Sequence, residues 1–125
     1  MVVSMRRPRH PVLVIEDHEG TRGAVERLLD LYGYGVVTAN DGQEALDYLH
    51  RGGPACLIVL DVEMPQMDGR VFLERQLADP ALARIPVVVF SGDPTSTPLP
   101  GAGFVRKMDP DGLVKFAARY CLKDE

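Results

Sequence analysis

Several things are scarce in this chain of 125 residues. No apolar stretch approaches the roughly 20 residues that cross a bilayer, and the first residues lack a secretory apolar segment, so neither a membrane span nor export is expected. Basic residues do not dominate: the net charge is −4, and the only basic cluster is Arg6, Arg7 and Arg9 near the start. A nucleic-acid partner, which usually demands a basic face, is therefore not expected. There are only two cysteines, Cys56 and Cys121. They are too few for a disulfide framework, and Cys56 sits in an apolar run, so both are expected reduced in a cytoplasmic protein. His10, His18 and His50 are scattered and match no zinc spacing. Repeats, low-complexity tracts and linkers are absent too.

What remains is ordinary for one globular domain: 46% hydrophobic and 26% charged residues. A chain this long buries about two-thirds of its unfolded surface, enough for one core. The boundaries read as a tail over 1–10, a domain over 11–122 and a short tail over 123–125.

Short runs rich in Val, Ile and Leu occur at 12–15, 34–39, 56–60, 86–90 and 104–106. At least three are apolar without alternation, which suits strands buried on both faces of a parallel sheet. Segments of helical spacing lie between them. In the first, Ala24, Leu28 and Leu31 recur at helical intervals beside Val25 and Leu29. In the second, Asp41 and Glu44 read as a capping box before Ala45, Leu46 and Leu49. The third carries Val71, Phe72 and Leu77 and stops before Pro80. The last carries Leu113, Val114, Ala117 and Tyr120 behind Asp109 and Pro110, which suit a helix start. Strands alternating with helices imply right-handed βαβ units and a doubly wound α/β sheet. One connection breaks this rhythm. Residues 92–103 read GDPTSTPLPGAG, and prolines 94, 98 and 100 each cost a helix interior about 3 kcal/mol. An irregular loop with at most one helical turn is expected there.

In such a sheet, ligands bind beyond the carboxyl ends of the strands. Glu16 and Asp17 follow the first run, Asp61 the third, Ser91 the fourth and Lys107 the fifth. Taken singly, Asp17 could cap a helix, Ser91 could be a turn residue and Lys107 a solvated charge. Together they place three carboxylates, a hydroxyl and an amine on one edge. Crowded carboxylates repel unless a cation intervenes, and a few carboxylates plus water suit Mg²⁺ better than a Ca²⁺ cage. A carboxylate beside Mg²⁺ can act as a nucleophile toward phosphorus. The metal, Lys107 and Ser91 would then stabilise the phosphoryl oxygens.

The run Asp61-Val62-Glu63-Met64-Pro65-Gln66-Met67-Asp68-Gly69 resembles the signature loop of bacterial response-regulator receiver domains, the family of the chemotaxis regulator CheY. The likeness extends over about residues 11–120. It includes the pair Glu16-Asp17, the helix opening Asn40-Asp41-Gly42-Gln43-Glu44-Ala45-Leu46, and the strand-end Ser91 and Lys107. The resemblance implies a five-stranded parallel sheet in the order 2-1-3-4-5, flavodoxin-like, here with a degenerate or missing fourth helix. It implies Asp61 as phosphoacceptor and Mg²⁺ held by Asp17, Asp61 and the backbone carbonyl of Glu63, with Glu16 acting mainly through a bound water. Ser91 and Lys107 would read the phosphoryl oxygens, and Ser91 with Phe104 would form the switch. For Phe104 the alternative is packing in the core. Met64 and Met67 read as loop anchors. The partner implied is a sensor histidine kinase or phosphotransfer protein, with output by protein contact.

Two features depart from the family pattern. Met108 stands where a proline with a cis bond usually follows the lysine, and a cis bond before a non-proline costs about 2.5–4 kcal/mol. The connection over 92–103 is short and proline-rich, so a monomer or weak dimer not built on a fourth helix is expected. The leading reading is a single-domain switch and not a turnover enzyme. Two other readings stay open: a receiver-like binding module independent of phosphorylation, and a haloacid-dehalogenase-like phosphatase, whose nucleophile motif wants an aspartate where Glu63 stands.

Overall fold

The computed structural model describes residues 10–61, 69–92, 102–107 and 109–122. Among the described residues the elements follow in the order β1 (Val12–Ile15), α1 (Glu19–Leu31), β2 (Val36–Ala39), α2 (Gly42–His50), β3 (Leu57–Leu60), α3 (Gly69–Ala78), β4 (Val87–Ser91), β5 (Ala102–Arg106) and α4 (Pro110–Tyr120). The strands form one sheet in the order β2-β1-β3-β4-β5. Every neighbouring pair is parallel, with Val12 opposite Val36 on one side and Leu57 on the other.

The unalternating apolar strands follow from this arrangement. β1 and β3 are buried along their whole length, and their side chains feed two separate cores. Val12, Val14, Leu57 and Val59 face α1 and α4. Leu13, Ile15, Ile58 and Leu60 face α2 and α3. A strand between two helical layers has no solvent side, so no polar residue is needed at every second position.

Local chemistry sets the helix ends. Asp41 accepts a hydrogen bond from the Glu44 amide at 2.8 Å, the cap expected for α2. Asp109 accepts from the Gly112 amide at 3.0 Å and Pro110 stands in the first turn of α4, also as expected. At α1 the cap is His18, whose Nδ1 accepts from the Thr21 amide at 3.1 Å; Asp17, the cap considered above, does not serve. Gly33 at φ 91° and Gly52 at φ 85° follow α1 and α2, where a left-handed residue turns the chain back and glycine alone adopts it without steric cost.

Two helix faces differ from expectation. In α1 the buried residues are Val25 and Leu29, while Leu31 is 82% exposed. In α3 Phe72, Leu73 and Gln76 are buried, while Val71 and Leu77 face outward. Each apolar stripe is two residues wide, and neighbouring positions differ by only 100° of rotation. Gln76 goes inward because its amide nitrogen donates to the carbonyls of Leu82 and Ile85, at 2.8 and 3.1 Å, in the turn that leads to β4.

The cysteines correct the sequence reading outright. Cys56 and Cys121 form a disulfide, with Cα atoms 5.3 Å apart across a sequence separation of 65. α4 runs back along the sheet and ends over the amino end of β3, which brings the two together. Spacing in the sequence carries no trace of that. Of the irregular loop expected over 92–103, Ala102 and Gly103 instead open β5, paired with Val87 and Val88; residues 93–101 lie outside the described residues, as do Glu63, Met64, Met67 and Met108.

Candidate functional site

The carboxyl ends of the strands deliver the expected side chains to one place. β1 ends at Ile15 and is followed by Glu16, whose amide donates to the Ala39 carbonyl at 3.1 Å. β3 ends at Leu60 and is followed by Asp61, whose amide donates to the Ile15 carbonyl at 3.0 Å. These ladder bonds set the two acids side by side, next to the point where strand order reverses. β4 ends on Ser91, and the Lys107 amide donates to the Ser91 carbonyl at 3.1 Å.

Glu16, Asp17 and Asp61 bring one carboxylate oxygen each within 4.8 Å of one another. Glu16 and Asp61 are buried, at 2% and 4% exposure, and Asp17 opens to solvent. The Lys107 ammonium lies 2.7 Å from Glu16 Oε1 and 3.6 Å from Asp61 Oδ2. A single ammonium thus contacts both buried acids. Burial, and then the neighbouring Asp61, push the Glu16 carboxyl up to about 8 against the pull of Lys107. Burial alone would lower the Lys107 ammonium, but its contacts with Glu16 and Asp61 outweigh this and raise it.

The donor set fits a hard divalent cation. All its ligand atoms are oxygens, and Glu16 Oε2 is buried without a hydrogen-bond partner. A buried carboxylate oxygen left without a donor is costly, and a cation or a metal-bound water would satisfy it.

The sequence reading did not single out Arg22. Its guanidinium donates to the backbone carbonyls of Glu16 and Asp17, at 3.1 and 3.4 Å, from the first turn of α1. It fixes the acidic pair through main chain, a role no side-chain pattern announces. Phe104 lies opposite Val89 in the β4–β5 ladder and is 40% exposed, so it is not the core residue that was its alternative. A groove lined by Thr21, Ala24, Leu28, Phe90 and Pro110 runs between α1 and the start of α4, with Lys107 also in its wall.

With this geometry in view, the likeness to known proteins is specific. The response regulator receiver domain model matches residues 12–100, and the chain belongs to that family. A chemotaxis protein CheY4 of Vibrio cholerae has the same fold with a TM-score of 0.78 and 26% identity, over 90% of this chain and 99% of that one. The receiver domain of the hybrid histidine kinase CckA matches with a TM-score of 0.73 and 33% identity, over 88% and 97% of the two chains. The protein-glutamate methylesterase/protein-glutamine glutaminase 1 of Anaeromyxobacter dehalogenans is 45% identical over 82 residues, which is 65% of this chain and 22% of that protein. The chain thus spans about a quarter, or less, of the length of the curated relatives it matches.

The domain is a response-regulator receiver of the two-component signalling class. Among the described residues, no helix is long and apolar enough to cross a membrane.

Proposed function

We propose that the chain takes a phosphoryl group onto Asp61 from a histidine kinase or phosphotransfer protein and passes the signal on by protein contact. The observation that supports this most is the convergence of Glu16, Asp17 and Asp61 within 4.8 Å with the Lys107 ammonium against two of them. Mg²⁺ held by Asp17, Asp61 and the Glu63 carbonyl, with Glu16 beside it, would supply positive charge against the phosphoryl oxygens. An Asp61 carboxylate oxygen forms the new P–O bond as the donor's P–N bond breaks, and the electron pair leaves with the donor imidazole. Lys107 neutralises charge on a phosphoryl oxygen, and the Ser91 hydroxyl donates to another. Arg22 keeps the Glu16-Asp17 backbone in place throughout. The groove beside Lys107 offers the phosphodonor an apolar footing.

In this reading the domain spans 11–122, works in the cytoplasm, and is a self-phosphorylating and self-dephosphorylating switch, not a turnover enzyme. Ser91 and Phe104 carry the change of state outward along the paired strands β4 and β5. It acts as a monomer or a weak dimer not built on a fourth helix. The test is phosphorylation by a small acyl phosphate with Mg²⁺, read by intact mass. A labile adduct is expected in the native chain and none in Asp61→Asn. An adduct that persists in Asp61→Asn refutes the assignment. No adduct with any donor favours a binding module that has kept the fold alone.

A further inference from the structure

The Cys56–Cys121 disulfide joins the amino end of β3 to the residue that ends α4. Its two halves are anchored unequally. Cys56 donates its amide to the Pro11 carbonyl at 3.0 Å, and Leu57 after it is fully buried between β1 and β4. Cys121 follows the last turn of α4, where Ala118, Arg119 and Tyr120 are all exposed, as is Leu122 beyond it. Among the described residues after Ala117, only Cys121 is buried at this end of the helix. Helix ends open locally at far lower cost than a sheet core. Cys56 is half-buried and Cys121 is buried, so a short opening of the helix end uncovers the remaining side of the bond while the Cys56 backbone stays in the sheet, where it can be found again.

We propose that this pair is a reversible redox latch on α4. An exogenous dithiol, or two small thiols, reduces it. Two electrons and two protons pass to Cys56 and Cys121, which become thiols, and the reductant becomes a disulfide. The last turn of α4 then loses its tie to the sheet, while Leu113 and Ala117 hold the rest of the helix. Oxidation by a small disulfide reverses both changes. The latch lies at the opposite end of β3 from Asp61, about 16 Å away at the rise of a strand. It operates whether or not Asp61 accepts a phosphoryl group. It also lets a disulfide exist in a chain exposed to a reducing compartment, where such bonds are typically transient and regulatory.

The full chain is equilibrated in glutathione buffers from oxidising to reducing, trapped with an alkylating reagent and weighed. A single two-thiol step is expected, lost again on return to oxidising buffer. Amide exchange over 117–121 is expected to be at least about tenfold faster in the reduced form, with 57–60 within about twofold. Cys56→Ser is expected to show the fast exchange in both buffers. Any of three results overturns the latch: a disulfide that resists reduction until the whole domain unfolds, thiols that do not re-form it, or exchange at 117–121 that is the same in both forms.

Discussion

In metal-free buffer the fold is expected to weaken as the pH rises from about 5.5 to about 7.5, and Glu16 is the cause. Its carboxyl titrates at about 8 in the folded chain against an ordinary 4.5, chiefly because burial penalises its charge. The native state therefore holds a proton that the unfolded chain has given up. Its contribution is fully present below pH 4.5 and is lost as the pH rises through about 8. Inside that window each pH unit weakens the fold by up to about 1.4 kcal/mol, and the whole window is worth at most roughly 5 kcal/mol. With a urea slope of about 1–3 kcal/mol/M for a small domain, the midpoint falls by roughly 0.5–1.4 M per pH unit. The assay is urea unfolding with a chelator present, run on the native chain and on Glu16→Gln. The difference between the two isolates the contribution of Glu16. Millimolar Mg²⁺ is expected to stabilise the native chain by about 1.4 kcal/mol when its concentration is tenfold above Kd, and more at pH 7.5 than at 5.5, because binding expels the Glu16 proton. Asp17→Asn is expected to lose that response. A native chain whose midpoint does not move with pH, or a Glu16→Gln variant with the native slope, refutes the reasoning.

Other expectations follow from packing. A Cβ on Gly103 would stand 2.5 Å from two atoms of the Phe116 ring, so Gly103→Ala is expected to cost about 1–3 kcal/mol in urea unfolding. Gln76→Leu removes a donor from both the Leu82 carbonyl, which keeps only the Ile85 amide, and the Ile85 carbonyl, and is expected to cost about 1 kcal/mol despite its apolar side chain. Removing the α4 cap by Asp109→Ala is expected to cost about 1 kcal/mol, and the loss is expected to appear as faster amide exchange in the first turn of α4. Lys107→Met is expected to keep the fold and bring the Glu16 carboxyl no lower, while slowing phosphorylation by a small donor; an unchanged rate would remove Lys107 from the site.

The strands and the edge that carries the site were readable from the chain alone. Unbroken runs such as Leu57 to Leu60 have one stable use, a strand covered on both faces, and the acids that follow such runs must emerge at its carboxyl end. Caps made by Asp41 and Asp109 are contacts of three residues' reach, so they too were legible locally. The tertiary structure decided what depends on distant partners. Which of two adjacent stripes on α1 and α3 turns inward depends on the sheet beneath, and the buried Gln76 amide nitrogen finds its acceptors in carbonyls six and nine residues away. The Arg22 clamp ends on backbone atoms, which have no sequence identity to read. The contact of Lys107 with Glu16 spans 91 residues, and the Cys56–Cys121 bond spans 65. Residue types and spacings specify local geometry, whereas such pairings exist only once the sheet has brought its strand ends together and α4 has been laid back across them.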